Sequence, residues 1–516
     1  PLHRHDRAAQ FMVKGDAFSA HGAQGHEGKE QEDEGCAHGD IVTRGFPRPE
    51  RNLLNPFGDA QGGVYNAPMT LSGAPIEKTP EFLRAFEMFE HSTAHIFLTG
   101  RAGTGKSTLL QYFRSSTRKN VAVVAPTGVA AVNIKGQTIH SFFSFKPDIT
   151  PEAAGEVRLR RGKRELYRNL HAVIIDEVSM VRADLLDCID VFLRQNGPDR
   201  KKPFGGVQMI LIGDLYQLPP VVTHADREIF GGLYPSPYFF DAKVFGACEF
   251  EFLELEKIYR QTEDRFIRLL NAVRDNAVRP EDLALLNLRH KPAFEPPPDD
   301  FYVYLTTTND LADSINRARL AAIRGKVHAY GGQINGAFEK KNLPTHEDLE
   351  LKLGAQVMLL NNDPMGRWVN GSIGHVADII HAGAGEEDAV RVRLADGHEV
   401  DVVPFTWEMF RFVYAKELGR IASESIGAFR QYPLRLAWAV TIHKSQGKTF
   451  PKVIIDVGRG TFSHGQAYVA LSRCTSLEGI ILKRPFLRQH ILLDVRVREF
   501  LEKFKKQVRK GHLVLE

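Results

Sequence analysis

Apolar and polar positions along this chain follow two rhythms, one of them repeated in a second series, with a break between them. From Glu81 to Glu90 apolar residues recur at helical spacing. Four short apolar runs follow, His95–Thr99, Val121–Ala125, Ala172–Ile175 and Val207–Ile212, each ending in a loop that leads into helix-favouring sequence. Runs without polar alternation are strands covered on both faces, and strands alternating with helices predict a parallel sheet. A second series has the same character: Phe301–Leu305, Val453–Val457 and Gly479–Leu482. The expected fold class is therefore α/β, with two doubly wound parallel-sheet domains. The first spans 76–252. The second spans 253–370 and 434–505.

The break lies between Gly371 and Pro433. Ile373–Ile380 and Ala389–Leu394 pattern as strands, and Asp396-Gly397 as the turn of a hairpin. A small β module inserted in the second domain is expected there. Lys146 to Arg168 is basic and weakly patterned, which suggests another small insertion. Residues 1–75 differ from the rest. His21 to Asp40 is rich in Gly, His, Glu and Asp and nearly free of large apolar side chains, so it cannot offset its ordering entropy. A disordered or accessory tail is expected there, and a short C-terminal tail over 506–516. No internal repeat is evident at a period of about 20–50 residues.

Composition changes this picture little. The 516 residues are too many for one core, and 43% hydrophobic with 25% charged is ordinary for a globular protein. No apolar run approaches the roughly 20 residues that cross a bilayer, so no membrane partner is expected. No signal-peptide pattern opens the chain, which makes a cytoplasmic or nucleoid location the default expectation. Cys36, Cys188, Cys248 and Cys474 form no C-x-x-C pair, so reduced thiols are expected rather than disulfides or zinc. The net charge of +4 permits a polyanionic partner without requiring one.

The chemistry is in the loops after the strands. Gly100-Arg-Ala-Gly-Thr-Gly105-Lys106-Ser107 has the spacing of a phosphate-binding loop. Its glycines let backbone N–H groups point at phosphate oxygens, and a helix beginning near Lys106 adds its positive end. Gly100, Gly103, Thr104, Gly105, Lys106, Ser107 and Thr108 are the candidate nucleotide-binding residues. Lys106 reaches the β- and γ-phosphates, and the Ser107 hydroxyl serves Mg²⁺. Val173-Ile-Ile-Asp176-Glu177 ends a buried strand in two carboxylates. Asp176 is placed to hold Mg²⁺, and Glu177 to orient and deprotonate water. After the next strand, Gln217 in Gly213-Asp214-Leu-Tyr-Gln217-Leu-Pro-Pro220 is a candidate γ-phosphate sensor, although an ordinary Pro-terminated loop fits as well.

The order of further motifs carries a resemblance. The phosphate loop is followed by Ala125-Pro-Thr-Gly-Val-Ala-Ala131, Gly136-Gln-Thr-Ile-His140-Ser141-Phe142 and Asp176-Glu-Val-Ser-Met180. Then come Gly213-Asp214, Gln217-Leu-Pro-Pro220, Tyr259-Arg260-Gln261, Thr441-Ile-His-Lys-Ser-Gln-Gly447 and Ala467-Tyr-Val-Ala-Leu-Ser-Arg473. This resembles superfamily-one helicases of the Pif and RecD-like group, and the stretch ending in Pro203-Phe-Gly-Gly-Val-Gln208 is similar to the Pif family's own signature. The resemblance covers about Phe82 to Leu482. It implies two RecA-like domains with ATP bound between them. It implies 5′-to-3′ movement on single-stranded DNA with duplex unwinding, and a link to G-quadruplex and fork-associated DNA. It implies a wedge-like insertion near Ser144–Arg168 and an SH3-like one near Gly371–Pro433. Carried over by position, Arg260 and Arg473 fall on two arginines that reach the γ-phosphate from the second domain, and Gly447 on its nucleotide-facing side. Pro126, Thr127, Gly128, Thr138, His140 and Ser141 fall on DNA-contacting motifs of the first domain, and His443, Lys444 and Ser445 on those of the second. Phe142 and Phe143 are candidates for stacking on a base and equally for the core.

One departure stands out. The family's adenine-reading glutamine has no counterpart between Glu77 and Ala94, which leaves the preference for ATP over other triphosphates open. A monomer in solution is expected. Two rivals also remain open: a translocase that displaces proteins without separating strands, and a binding scaffold with an inactive ATPase.

Overall fold

The computed structural model describes residues 76–222, 232–261, 263–381, 383, 387–456 and 463–512, so the expected tail over 1–75 lies outside the described residues. The first sheet is built from β1 (His95–Gly100), β2 (Val121–Ala125), β3 (Gln137–Thr138), β4 (Ala172–Ile175), β5 (Gln208–Ile212) and β6 (Phe250–Leu255). All neighbours are parallel, in the order β3-β2-β4-β5-β1-β6.

Strand side chains alternate between faces, and here both faces are covered. Ile96 and Leu98 join Ile210, Ile212 and Ile174 under the helices Pro80–His91 and Lys106–Ser116. Phe97, Leu211, Val173 and Ile175 pack on the opposite side with the helix Ala183–Asn196. Each such aliphatic side chain, taken fully from water, contributes about 1.5–3 kcal/mol. Helix Pro80–His91 starts where it does because the Thr79 hydroxyl accepts from the Phe82 N–H, with Pro80 in the first turn.

The second sheet opens with β7 (Tyr302–Thr306), and the chain then leaves it for an antiparallel region. That region runs β8 (His328–Gly331), β9 (Gln333–Gly336), β10 (Asp348–Leu351), β11 (Gln356–Leu359), β12 (Ile373–Ile380), β13 (Ala389–Leu394), β14 (Glu399–Val402), β15 (Phe405–Ala415), β16 (Arg420–Gln431) and β17 (Leu434–Leu436). One sheet has the order β14-β13-β12-β11-β17 and another β15-β16-β9. The hairpin between β13 and β14 turns at Asp396-Gly397, as its sequence predicts. Strands before Gly371 thus pair with strands after it. The expected span 371–433 missed them because β8 to β11 are each four residues long and show no sustained alternation.

The chain returns through β18 (Ala439–Thr441), β19 (Lys452–Ile455) and β20 (Ile480–Leu482), which complete a parallel sheet in the order β18-β7-β19-β20. Helix Asn309–Ala322 is stitched to it by Asn316, whose amide exchanges both hydrogen bonds with Ala439. The residues 144–168 contain two helices, Pro151–Glu156 and Arg161–Arg168, on the first lobe. The helix Val495–His512 does not stay with the second lobe. Phe500 stacks on Phe240 with centroids 4.2 Å apart, and Phe504 meets Phe252 at 5.6 Å, so the end of the chain straps back onto the first lobe. No helix among the described residues is long and apolar enough to cross a membrane.

Candidate active site

Three loops at the C-terminal ends of β1, β4 and β5 converge, as open parallel sheets require of their sites. The loop after β1 turns through Gly103 and Gly105, both in left-handed backbone (φ 83° and 87°), and delivers Lys106 to the start of its helix. Lys106 Nζ donates to the Gly100 and Arg101 carbonyls at 2.7 and 3.0 Å. Burial pushes its pKa down, while Asp214, Glu177 and Asp176 oppose that shift. Thr104 is buried with its hydroxyl on the Arg101 carbonyl, 3.0 Å. Ser107 is exposed at the helix mouth and Thr108 is half-buried.

The loop after β4 places Asp176 and Glu177 side by side, with the Glu177 N–H on Asp176 Oδ1 at 3.0 Å. Burial first, and the Asp176 charge second, push the Glu177 carboxyl up to about 7. A carboxylate held near neutrality is a competent base for water. Burial raises Asp176 as well. A serine hydroxyl and a carboxylate are hard oxygen donors, so Ser107 and Asp176 fit Mg²⁺ with phosphate and water completing its shell.

The second lobe closes this site. The Tyr259 N–H donates to the Gly103 carbonyl at 2.9 Å, and a Cβ on Gly103 would lie 2.5 Å from Arg260 Cβ. Arg260 Nη2 reaches the Gly447 carbonyl at 3.2 Å. The Tyr468 hydroxyl accepts from the Ala102 N–H in the phosphate loop at 3.1 Å. Arg473 is buried. Its guanidinium donates to the Val469 carbonyl at 2.9 Å, to the Ser445 and Lys448 carbonyls at 3.2 Å each, and to the Ser472 hydroxyl at 2.8 Å. Burial and the neighbouring Arg260 push its pKa down to about 9, which leaves it charged at neutral pH. Lys106, Arg260 and Arg473 thus face Asp176, Glu177 and Asp214 across one cleft, an arrangement suited to a polyanion that brings its own cation.

Gln217 sits elsewhere in the network. It is buried, and its Nε2 donates to Asp214 Oδ2 at 3.1 Å. Asp214 also pairs with Arg274 at 3.4 Å, and the Arg274 guanidinium lies 3.9 Å over the Tyr216 ring. Sequence reasoning missed Arg274. The available signal was its place at i+8 in the apolar stripe of helix Asp264–Arg274, in line with Phe266 and Leu270.

Thr127 and Thr138 cap short helices, accepting from the Ala130 and Ser141 N–H groups at 3.3 and 3.2 Å. Pro126, Gly128 and His140 are half-buried, and Ser141, His443 and Lys444 are exposed. For Phe142 and Phe143 the second of the two expected alternatives holds, and Ser445 does not present its side chain. Phe142 and Phe143 are core residues, 1% and 0% exposed, wedged against Tyr167 and Phe192, so neither is available to a base. Ser445 is fully buried with its hydroxyl turned onto the Ile442 carbonyl at 2.7 Å, so it supports the loop and does not present a side chain. A cationic group beside them was not foreseen. Burial first, and the Arg435 charge second, lower both Lys444 and Lys448, and take Lys448 down to about 8. Lys448 Nζ is 2.6 Å from Asn370 Oδ1, and Asn370 reaches Asn133 of the first lobe at 3.4 Å.

This geometry has relatives. The family model for PIF1-like helicases matches residues 83–282. The ATP-dependent DNA helicase Pif1 of Bdellovibrio bacteriovorus is 34% identical over 438 residues, covering 83% of this chain and 93% of that protein. The chain belongs to the Pif1 helicase family. The ATP-dependent DNA helicase PIF1 of Homo sapiens is 37% identical over 393 residues, or 75% of this chain, which spans 57% of the human protein's length. Among solved structures, Bacteroides sp. Pif1 in complex with ADP-AlF4 matches at a TM-score of 0.76, with 36% identity over 84% of this chain and 98% of that one. Bacteroides Pif1 bound to ssDNA matches at 0.59, with the same identity and coverage. This chain is thus more similar in structure to the first of these than to the second. The two parallel sheets are RecA-like domains of this Pif1 fold.

Proposed function

We propose that this chain is an ATP-dependent DNA helicase that moves 5′-to-3′ on single-stranded DNA and unwinds forked duplex and G-quadruplex DNA as a monomer. The observation that carries the reading is the shared cleft: the phosphate loop of one lobe is touched by Tyr259, Arg260 and Tyr468 of the other. Family membership and the ssDNA-bound neighbour support the choice of partner.

The chemistry follows from the residues. Backbone N–H groups of Gly103 to Ser107 and the Lys106 ammonium cradle the β- and γ-phosphates. Ser107 and Asp176 would hold Mg²⁺, which would supply positive charge to offset that of the phosphates. Glu177 orients the attacking water and takes its proton. Arg260 and Arg473 stabilise the charge that spreads over the transferred oxygens, a contribution of about 10³–10⁵ in rate in related systems. A nucleotide held from both lobes favours the closed cleft, and hydrolysis removes that preference. With a grip on each lobe, Thr127 to Ser141 on one and His443 and Lys444 on the other, closing and opening become movement along the strand.

The test is unwinding of forked duplexes carrying only a 5′ or only a 3′ tail, at stated salt because phosphate contacts are salt-dependent. Unwinding of the 5′-tailed fork, dependent on ATP and lost in Lys106→Ala, is the expected result. ATP turnover on DNA without strand separation would leave a translocase, and absence of turnover would leave a binding scaffold.

A further inference from the structure

Glu177 does not stand free in the cleft. Its Oε2 accepts a hydrogen bond from Gln446 Nε2 at 2.8 Å. The donor comes from the other lobe, on the loop that follows β18. That loop has two sides. His443 and Lys444 are exposed on its outer side, while Ser445 is buried and its carbonyl accepts from Arg473. Gln446 stands between them, half-buried, with its amide directed across the cleft. On the receiving side, Glu177 has a left-handed backbone (φ 53°), a conformation that a residue with a side chain adopts only when its surroundings impose it. Its backbone position is therefore set by the first lobe, and the hydrogen bond depends on where the second lobe holds its loop.

A carboxylate that accepts an amide hydrogen is pinned in direction and cannot turn that oxygen to water. We propose that Gln446 is a positioning residue that restrains the Glu177 carboxylate until single-stranded DNA engages the loop at His443 and Lys444, so that strand binding itself releases the base for hydrolysis. This rests on the helicase reading above. It also makes strand binding and base release reciprocal. If DNA must break the hydrogen bond to be gripped, removing that bond in advance strengthens DNA binding by the same factor.

The experiment uses the full chain with Gln446→Met, which keeps the side-chain volume without the donor, and Gln446→Ala. ATP turnover is measured with and without a thymidine oligonucleotide, and oligonucleotide affinity by fluorescence anisotropy. Turnover without DNA is expected to rise about tenfold, the weight of one charge-assisted hydrogen bond, while turnover at saturating DNA and the KM for ATP stay within about twofold. Oligonucleotide affinity is expected to tighten by the same factor as the basal rate rises. An unchanged stimulation ratio, or parallel losses with and without DNA, overturns the restraint and makes Gln446 a structural contact. If the wild-type chain turns over no ATP in either condition, the helicase reading itself has failed. If the wild type is stimulated and the variants keep its ratio, only the restraint has failed.

Discussion

The two lobes contribute to one cleft in opposite ways. In the first lobe each functional group follows its strand within a few residues: Lys106 after β1, Asp176 and Glu177 after β4, Asp214 and Gln217 after β5. In the second lobe the groups are far apart in sequence and are held by contacts made over long distances. Arg260 leans on a carbonyl 187 residues away, and Arg473 is fixed by carbonyls of the loop that carries Gln446. A phosphate cradle is a local structure that strand, turn and helix build by themselves. A group that must arrive from the opposite lobe can be placed only by the packing of both.

Substitutions can break that contrast or sharpen it. The largest effect is expected for Lys106→Ala, which removes the local cradle's charge: turnover falls below detection while oligonucleotide binding persists in an anisotropy titration. Ordinary turnover in that variant would mean the loop is not the site. Arg473→Ala is expected to lower kcat about 10³-fold with a much smaller change in nucleotide affinity, the pattern of a group that acts in the transition state. Equal losses in kcat and affinity would make it a ground-state ligand. Because Arg473 also ties down three backbone carbonyls, Arg473→Lys serves as the packing control in a thermal melt.

Arg274→Met tests a contact between the lobes that has no motif. It leaves Asp214 buried without its cation, and a cost of about 3–5 kcal/mol is expected in denaturant unfolding. A loss below about 1 kcal/mol would show that Gln217 and the Tyr216 N–H suffice to hold Asp214. The smallest effect is expected for Phe500→Ala in the C-terminal strap. Phe500 is half-buried, so about 2 kcal/mol is expected, below the range for a fully buried phenylalanine. Unchanged stability would mean that the strap is held by its ion pairs, Arg496 to Asp241 and Lys505 to Glu254.

Much of this was legible before the fold was known. β2 and β4 fall on their expected residues, and β1 and β5 within one residue at one end, because continuous apolar runs bounded by polar loops have few alternatives in a parallel sheet. Elements shorter than a full period were not legible. Strands β8 to β11 have four residues each, and the helices within 144–168 follow a basic stretch with little apolar signal. Aromatic character alone did not decide placement. Phe142 and Phe143, next to the strand-contact motif, proved to be core, while Tyr468, within an apolar helix, reaches the phosphate loop with its hydroxyl.

By itself the chain's sequence determined the cradle, the acid pair, the parallel strands around them and the family to which they belong. The cradle and the acid pair depend on residues within about ten positions of one another, where spacing and backbone preference are sufficient, and the family on the order of such local motifs along the chain. Only the tertiary structure decided that Ser445 turns inward and Gln446 outward onto Glu177, that Arg274 completes Asp214, and that the last helix returns to the first lobe. The second and third of these join lobes through buried polar partners, the last through stacked rings, and the Ser445 hydroxyl is turned onto the Ile442 carbonyl of its own loop. Partners such as Gln446 and Glu177, 269 residues apart, or Arg274 and Asp214, 60 apart, are matched by packing and desolvation, which no local pattern encodes.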